Sequence, residues 1–170
     1  MYNELYLFQL LPKVWAPRNM DLTLVMPKEI NTEILIQAKP EKIWKILTDF
    51  AQYPNWNPFI KSITGNVQTG NLITVRLEPP GAMGMTIKPK VQAFVPEKEL
   101  RWLGHLFIKG LFDGEHKFEL IDHGNGSTTF KHSERFTGIL IPLFKKLLDV
   151  NTKNGFEAMN RKLKELAESA

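Results

Sequence analysis

The clearest hydrophobic pattern in the chain lies in residues 111–137, where large apolar side chains occupy even-numbered positions in two successive runs. They are Phe112, Phe118 and Leu120 in the first run, and Phe130 and Phe136 in the second. Alternation with period two predicts two β-strands joined as a hairpin, with the even-numbered face toward the interior. The odd-numbered positions carry mostly charged residues, as expected for a solvated face.

The interior face of this hairpin also carries three ionisable residues, His116, His132 and Glu134. The even-numbered residues of both strands lie on the same side of the sheet only if the two residue numbers in each directly opposed pair add up to an even number. The connecting loop must then hold an odd number of residues, and a three-residue loop fits. His116 lies opposite His132 or opposite Glu134, and the three groups fall within about 8 Å of one another. Aromatics around a small polar cluster are typical of a ligand pocket; the alternative is a hydrogen-bonded cluster that only serves the core.

The rest of the chain predicts strands and helices in a simple order. Strands are predicted at residues 32–37, 61–67, 72–78, 83–95 and 100–107, in addition to the hairpin. Pro40 opens a first short helix, a second helical turn follows at residues 51–53, and Pro142 opens a helix of about 25 residues that ends at Ala167. A curved antiparallel sheet of seven strands, covered by a long C-terminal helix, is an α+β architecture.

Two residues interrupt these patterns. Pro89 has no N–H to give to a neighbouring strand, so the strand predicted at residues 83–95 must lie at an edge or bulge at that point. Gly155 lies within the long helix, where glycine costs about 1 kcal/mol relative to alanine. A glycine at such a position indicates close backbone packing or a kink over a bulky group.

The first thirty residues form the least regular part of the chain. Their apolar run, Leu5 to Leu11, is too short for a membrane span, which needs about 20 residues. They also lack the basic start and small-residue cleavage site of a secretory signal. We expect residues 1–30 to form a loosely attached or docked arm and residues 31–170 to form the ligand-binding domain.

Composition and charge narrow the classes of protein that fit. A chain of 170 residues with 43% hydrophobic and 24% charged residues is one ordinary globular domain. It has no cysteine, which excludes disulfides, thiolate metal sites and thiol nucleophiles. The net charge of +4 is spread along the chain, so no nucleic-acid partner is expected. We expect a cytoplasmic monomer or weak homodimer without stable membrane insertion, although transient membrane contact stays open.

Five short segments carry a resemblance to a known family. They are residues 39–44 (KPEKIW), 49–50 (DF), 53–59 (YPNWNPF), 100–104 (LRWLG) and 112–116 (FDGEH). In this order they resemble the polyketide cyclase/dehydrase-type branch of the START/Bet v 1-like (SRPBCC) superfamily, over about residues 31–167. The resemblance implies a helix-grip fold, in which the sheet wraps around the C-terminal helix and a hydrophobic ligand cavity lies between them.

The resemblance also implies which side chains contact a ligand. The expected lining residues are Trp56, Phe59, Met83, Met85, Trp102, Phe112, His116, Phe118, His132, Glu134, Phe136, Phe144, Phe156 and Met159. Methionines suit such a wall because they repack around varied shapes. Each apolar residue in this set also suits a plain hydrophobic core, so the sequence leaves both assignments open.

The function expected from these features is the binding of a hydrophobic small molecule, such as a lipid, quinone, isoprenoid or polyketide-like compound, by a carrier or sensor. The alternative is an enzyme of the cyclase or dehydratase type, with catalytic candidates His116, His132 and Glu134. In a dry pocket Glu134 or His132 could abstract a proton beside a carbonyl group while His116 polarises its oxygen. No phosphate loop or nucleophile elbow occurs, and no cofactor or metal ion is expected.

Overall fold

Two antiparallel sheets and a C-terminal helix form the framework of the protein. The structure, a computed structural model, describes residues 26–106 and 108–169. The strands are β1 (Lys28–Ile36), β2 (Ile60–Thr64), β3 (Thr74–Leu77), β4 (Met85–Ile87), β5 (Lys90–Val95), β6 (Glu99–His105), β7 (Asp113–Asp122) and β8 (Thr128–Thr137). The α-helices are α1 (Pro40–Thr48), α2 (Tyr53–Trp56) and α3 (Lys153–Glu168). No helix in the described ranges is long and apolar enough to cross a membrane.

The strands are divided between a five-stranded sheet, in the order β1-β8-β7-β6-β5, and a three-stranded sheet, in the order β2-β3-β4. The predicted α+β antiparallel architecture is confirmed, with eight strands where seven were predicted. The extra strand arises at Pro89, which divides the predicted strand 83–95 into β4 and β5, in different sheets. Because proline has no N–H, the hydrogen-bond ladder cannot continue through it.

The hairpin of β7 and β8 has one of the two predicted registers. His116 pairs with Glu134, Phe118 with His132, and Leu120 with Phe130. The His123 amide donates to the Ser127 carbonyl at 3.1 Å, which leaves three residues at the tip of the loop. The predicted parity and inward face of the hairpin are therefore confirmed.

The C-terminal helix is shorter than predicted. A 3₁₀ turn covers Ile141–Phe144 and a π-helical segment covers Leu147–Thr152, so the regular α-helix α3 begins only at Lys153. A π-helix has wider turns, and such segments in proteins often lie at functional sites. Apolar spacing did not reveal this change, because Phe144 and Leu148 face inward in a wider turn as readily as in an α-helical one.

Helix α3 packs on the large sheet through a fully buried apolar face. Phe156, Met159 and Leu163 are each inaccessible to solvent, and burial of each contributes about 1.5–3 kcal/mol. A Cβ atom on Gly155 would overlap the ring of Phe59, so only glycine allows the helix to approach this ring. The predicted close packing at Gly155 is confirmed.

Two of the predicted segments, the N-terminal arm and the strand at residues 100–107, lie partly outside the described residues. Of the arm predicted at residues 1–30, only 26–30 are described, and β1 begins within it at Lys28. The strand predicted to reach Phe107 ends at His105, and Phe107 itself lies outside the described residues.

Candidate functional site

A cavity of about 60 Å³ lies between the two sheets and the π-helical segment. Its lining residues are Phe59, Leu77, Pro79, Met85, Ile87, Gly104, His105, Leu106, Phe112, Gly114, Glu134, Phe136, Leu147, Leu148 and Thr152. The lining is mostly apolar, and the volume corresponds to about four to six water molecules. Pockets for drug-sized ligands are larger, about 300–1,000 Å³. The cavity therefore suits a small molecule or one end of a longer one.

Two glycines form part of the cavity wall because they leave out side chains. Gly104 on β6 pairs with Gly114 on β7, and both face the cavity. A Cβ atom on Gly114 would lie 2.6 Å from Oε1 of Glu134, so the carboxyl group occupies the space above this glycine. Sequence reasoning missed both residues, although they occupy even-numbered positions in line with Trp102, Phe112 and His116.

The structure separates the predicted lining residues into three groups. Those at the cavity are Phe59, Met85, Phe112, Glu134 and Phe136. Those that pack elsewhere are Trp56, Trp102, His116, Phe118, His132, Phe144, Phe156 and Met159. Met83 is 90% exposed. It precedes β4, so the strand alternation that predicted an inward position does not apply to it.

Much of the space expected beneath the C-terminal helix is filled by aromatic rings. The ring of Phe156 stacks on His132 with centroids 3.6 Å apart, and that of Trp102 stacks on His116 at 4.6 Å. Phe118 meets both imidazoles edge to face. Hence the two histidines belong to the packed core, and of the predicted polar cluster only Glu134 reaches the cavity.

A row of hydrogen-bonded polar groups runs from the cavity through this core. Glu134 Oε2 lies 3.3 Å from His116 Nδ1, and His116 Nε2 lies 3.0 Å from His132 Nε2. His132 Nδ1 then lies 3.0 Å from Asn160 Oδ1 on α3. The Asn160 amide donates to the Thr32 hydroxyl at 2.9 Å, and that hydroxyl donates to the His132 carbonyl at 3.0 Å. We call Glu134, His116, His132, Asn160 and Thr32 the polar row.

The donor and the acceptor of each hydrogen bond in the polar row can be assigned by starting from Thr32. Because Thr32 gives its single proton to a carbonyl, its oxygen accepts from Asn160, and the Asn160 oxygen faces His132. His132 therefore carries its proton on Nδ1 and accepts at Nε2. His116 must donate from Nε2, and one further proton lies between its Nδ1 and Oε2 of Glu134. When both groups are uncharged, Nδ1 accepts and Glu134 donates as a neutral carboxylic acid.

Burial has the same effect on all three titratable groups, because it disfavours their charged forms. It raises the pKa of Glu134 to about 8 and lowers the pKa of His116 to about 3. The pKa of His132 also falls well below its usual value, through burial first and then through the neighbouring His116. At neutral pH the row is therefore uncharged, in agreement with the proton positions above.

A second polar pair lies at the mouth of the cavity. His105 Nδ1 lies 2.7 Å from Asp113 Oδ1 across β6 and β7, and the Gly110 amide donates to both oxygens of this carboxylate at 3.0 and 3.1 Å. Sequence reasoning missed this pair because both residues fall on the odd-numbered, outward positions of their strands. The pair fixes His105 beside the opening.

Among residues 26–106 and 108–169, no three His, Asp or Glu side chains are grouped so that they could hold a metal ion. His116, His132 and Glu134 lie in a row with His116 between the others, so their free electron pairs do not converge on one point. Metal binding needs such convergence.

Comparison with known proteins agrees with the fold. The aromatase/cyclase Zhui from Streptomyces sp. R1128 is similar in structure, with a TM-score of 0.68, 11% identity and coverage of 84% of this chain and 94% of that one. Norcoclaurine synthase from Thalictrum flavum, in complex with dopamine and hydroxybenzaldehyde, has a TM-score of 0.65 at 15% identity and covers 94% and 99%. A START superfamily protein from Mycobacterium smegmatis has a TM-score of 0.60 at 19% identity and covers 81% and 98%.

A search of curated protein sequences gave no match. A family model described as "Polyketide cyclase / dehydrase and lipid transport" matches residues 27–168, which is nearly the whole described chain. The predicted resemblance is therefore confirmed, and the protein belongs to this polyketide cyclase/dehydrase and lipid transport family.

Proposed function

We propose that the protein binds a hydrophobic small molecule, of lipid, quinone, isoprenoid or polyketide type, as a carrier or sensor. The observation that supports this function is the apolar cavity with a single buried carboxyl group, Glu134, in its wall. Apolar contact supplies affinity in such a site, and a few polar groups fix the orientation of the ligand. The family description, which includes lipid transport, agrees with this function.

The size of the cavity limits how the ligand sits. With about 60 Å³ of free space, only a small molecule or the end of a chain enters without rearrangement. Toward α3 the space behind the lining is filled by the stacked rings of Phe156 and His132. The lining itself includes Met85 and Ile87 on the short strand β4, and Leu147 and Leu148 on the π-helical segment. A longer ligand therefore extends past His105 at the mouth.

The first experiment is native mass spectrometry of the protein purified from its own host. A bound compound of the proposed class, lost when Gly104→Val fills the cavity, is the expected result. A protein that carries nothing, and that also shows no shift of cavity resonances in an NMR titration with small apolar compounds, would overturn the proposal. Leu103→Val, at the position before Gly104 on β6 and outside the cavity lining, is a control that places the same side chain on the same strand.

A second candidate function, acid–base catalysis, is favoured by one observation. The pKa of Glu134, raised to about 8, means that a group bordering the cavity can gain or lose a proton near neutral pH. A general acid or base is most effective when its pKa lies near the working pH. The predicted roles change accordingly: His132 and His116 lie behind Glu134 and position its carboxyl group, and of these three residues only Glu134 borders the cavity, where a bound molecule could exchange a proton with it.

Glu134→Gln separates the two functions. The amide has the shape of the neutral acid and can still donate to His116, but it cannot transfer a proton. If the protein is an enzyme, this variant should still bind its substrate while turnover is lost. Unchanged turnover would remove Glu134 from the reaction, and the carrier or sensor function would stand without it.

A further inference from the structure

We infer that the ligand presents a hydrogen-bond donor, an alcohol or phenol hydroxyl, to Oε1 of Glu134. This inference rests on the proposed function and specifies the polar group of the ligand. It follows from the position of the carboxyl proton, which the polar row fixes on the oxygen that faces away from the cavity. The oxygen that faces the cavity is then a bare acceptor.

The two oxygens of Glu134 have different surroundings. Oε2 is directed into the core, 3.3 Å from His116 Nδ1. Oε1 lies above Gly114, which is itself part of the cavity wall. Oε1 receives no hydrogen bond from a described residue. Every fully buried side-chain oxygen or nitrogen in the described ranges does have a hydrogen-bond partner, so Oε1 is not fully buried. Oε1 is therefore open to the cavity, consistent with the 11% exposure of this side chain.

The polar row gives Oε1 its acceptor character. Each group from Thr32 back to His116 Nε2 has one arrangement of protons that satisfies its neighbour. The 3.3 Å contact between His116 Nδ1 and Glu134 Oε2 then needs one proton, which the uncharged row carries on Oε2. A neutral carboxyl group has only one proton, so Oε1 has none to give. A ketone, ether or carboxylate oxygen placed there would face another acceptor. A hydroxyl group would donate to Oε1.

The other polar groups of the cavity do not reverse this preference. Thr152 also borders it, and a hydroxyl both donates and accepts, so it serves either kind of ligand. His105 stands at the mouth, where Asp113 occupies its Nδ1. Of the polar side chains at the cavity, only Glu134 has its role set by a chain of buried partners.

The test uses three ring compounds of similar size: cyclopentanol, which donates and accepts; cyclopentanone, which only accepts; and methylcyclopentane, which does neither. Titrations at slightly acidic pH are followed by the amide resonances of the cavity-lining residues in the intact protein. One additional hydrogen bond should make cyclopentanol bind about fivefold more tightly than cyclopentanone. Equal binding of the two, or tighter binding of the ketone, would overturn the inference while leaving the cavity as a ligand site.

Two variants of Glu134 provide matched controls. Glu134→Gln can donate from its amide nitrogen to His116 and keeps an oxygen above Gly114, so the alcohol preference should persist. Glu134→Leu removes the acceptor, so the ratio should fall to about one while the apolar compound still binds. If Glu134→Leu does not fold, Gly114→Ala displaces the carboxyl oxygen from above residue 114 and should lower the ratio instead.

The remaining outcomes of these titrations also test the inference. Loss of the preference in Glu134→Gln would mean that the proton, not Oε1, recognises the ligand, and would overturn the inference. If none of the three compounds shifts the cavity resonances at concentrations near their solubility, the inference fails, and the proposed function fails with it when the protein purified from its host also carries nothing. Resonances of residues remote from the cavity report any nonspecific binding.

Discussion

Nε2 of His116 and Nε2 of His132 lie 3.0 Å apart, so the two imidazoles share one proton between them. Two protonated nitrogens could not approach so closely in a buried site, and two bare ones would repel each other. Burial lowers the pKa of both rings, so both are neutral at neutral pH, with opposite tautomers. Their protons are ordered by Asn160 at one end of the row and by Glu134 at the other.

The first prediction concerns these tautomers. His132 should carry its proton on Nδ1 and His116 on Nε2, and neither ring should become an imidazolium ion on mild acidification, because burial lowers both pKa values. Two-bond ¹H–¹⁵N correlation spectra of protein with ¹⁵N-labelled histidine distinguish the Nδ1-protonated ring, the Nε2-protonated ring and the imidazolium ion. Spectra with the same tautomer on both rings, or an imidazolium pattern near neutral pH, would contradict the proton order of the polar row.

Asn160→Asp is the informative variant for this prediction. The carboxylate still accepts from His132 Nδ1 but adds a negative charge, which favours the protonated imidazole. The pKa of His132 should therefore rise, and its imidazolium form should appear at a higher pH than in the original protein. Asn154→Asp, an exposed substitution on the same helix, should leave the spectrum unchanged.

The second prediction concerns stability against pH. The pKa of Glu134 rises from 4.5 to about 8 on folding, so the folded state binds more protons and stability falls as pH increases through this window. The pKa of His116 falls from 6.5 to about 3, so its contribution is lost as pH decreases below 6.5, and His132 acts in the same direction. These groups together place the maximum stability near pH 6.5.

Urea unfolding across this range measures the effect. Between pH 6.5 and 8 the loss due to Glu134 should amount to on the order of 1 to 2 kcal/mol. Glu134→Gln has no carboxyl proton to lose. Its free energy of unfolding should therefore rise relative to that of the original protein as the pH increases. A constant difference between the two proteins from pH 5 to 9 would mean that Glu134 is not held neutral.

The third prediction tests the contact between Gly155 and Phe59. Alanine at residue 155 improves helix propensity by about 1 kcal/mol, but its Cβ would overlap the Phe59 ring. That ring is itself held by Phe156, with centroids 5.2 Å apart, and cannot move freely. We expect Gly155→Ala to lower the free energy of unfolding by about 1–3 kcal/mol.

Two further variants make this measurement specific. Asn154→Ala, at the exposed position before Gly155, should be neutral or slightly stabilising. In the double variant Gly155→Ala with Phe59→Leu, the smaller side chain should remove most of the overlap, so the two effects should not add. Simple additivity would show that the ring does not limit the approach of α3.

The fourth prediction compares the two cavity glycines. A Cβ on Gly104 would be 3.4 Å from Ile87 Cδ1 and 3.5 Å from Pro89 Cβ, so alanine fits there and only reduces the free volume. Alanine at Gly114 must instead displace the Glu134 carboxyl. Gly104→Ala should weaken binding of all three ring compounds alike and leave the pKa of Glu134 unchanged. Gly114→Ala should alter the pKa of Glu134, which ¹³C NMR of the carboxyl group measures. Identical effects of the two substitutions would refute this distinction.

The sequence predicted the hairpin well because its pattern has a strict period. Parity alone placed His116, His132 and Glu134 on one inward face and reduced their pairing to two registers, one of which is found. The amphipathic repeat of residues 142–167 predicted the helix that covers the sheet. These features depend on alternation and local propensity, which a single sequence displays directly.

The cavity could not be predicted in the same way, because its position depends on how large side chains share a volume. Phe156 and Met159 were expected to border a ligand, but Phe156 stacks on His132 of β8 and Met159 is fully buried against Asn57. The free volume lies instead beside Gly104 and Gly114, which project no side chains into it. Asn160 also lacked a signal, since an amide in an amphipathic helix shows its role only when its hydrogen-bond partner is known.

The paired glycines of β6 and β7 have a consequence for the divergence of related proteins. The space for a guest depends here on two paired glycines that project no side chain into it. A larger residue at position 104 can narrow or abolish the chamber and leave the row of buried hydrogen bonds intact, whereas a larger residue at position 114 must displace the Glu134 carboxyl. Evolution can thus alter selectivity for size at the first glycine without disturbing selectivity for chemical group, but a change at the second alters both.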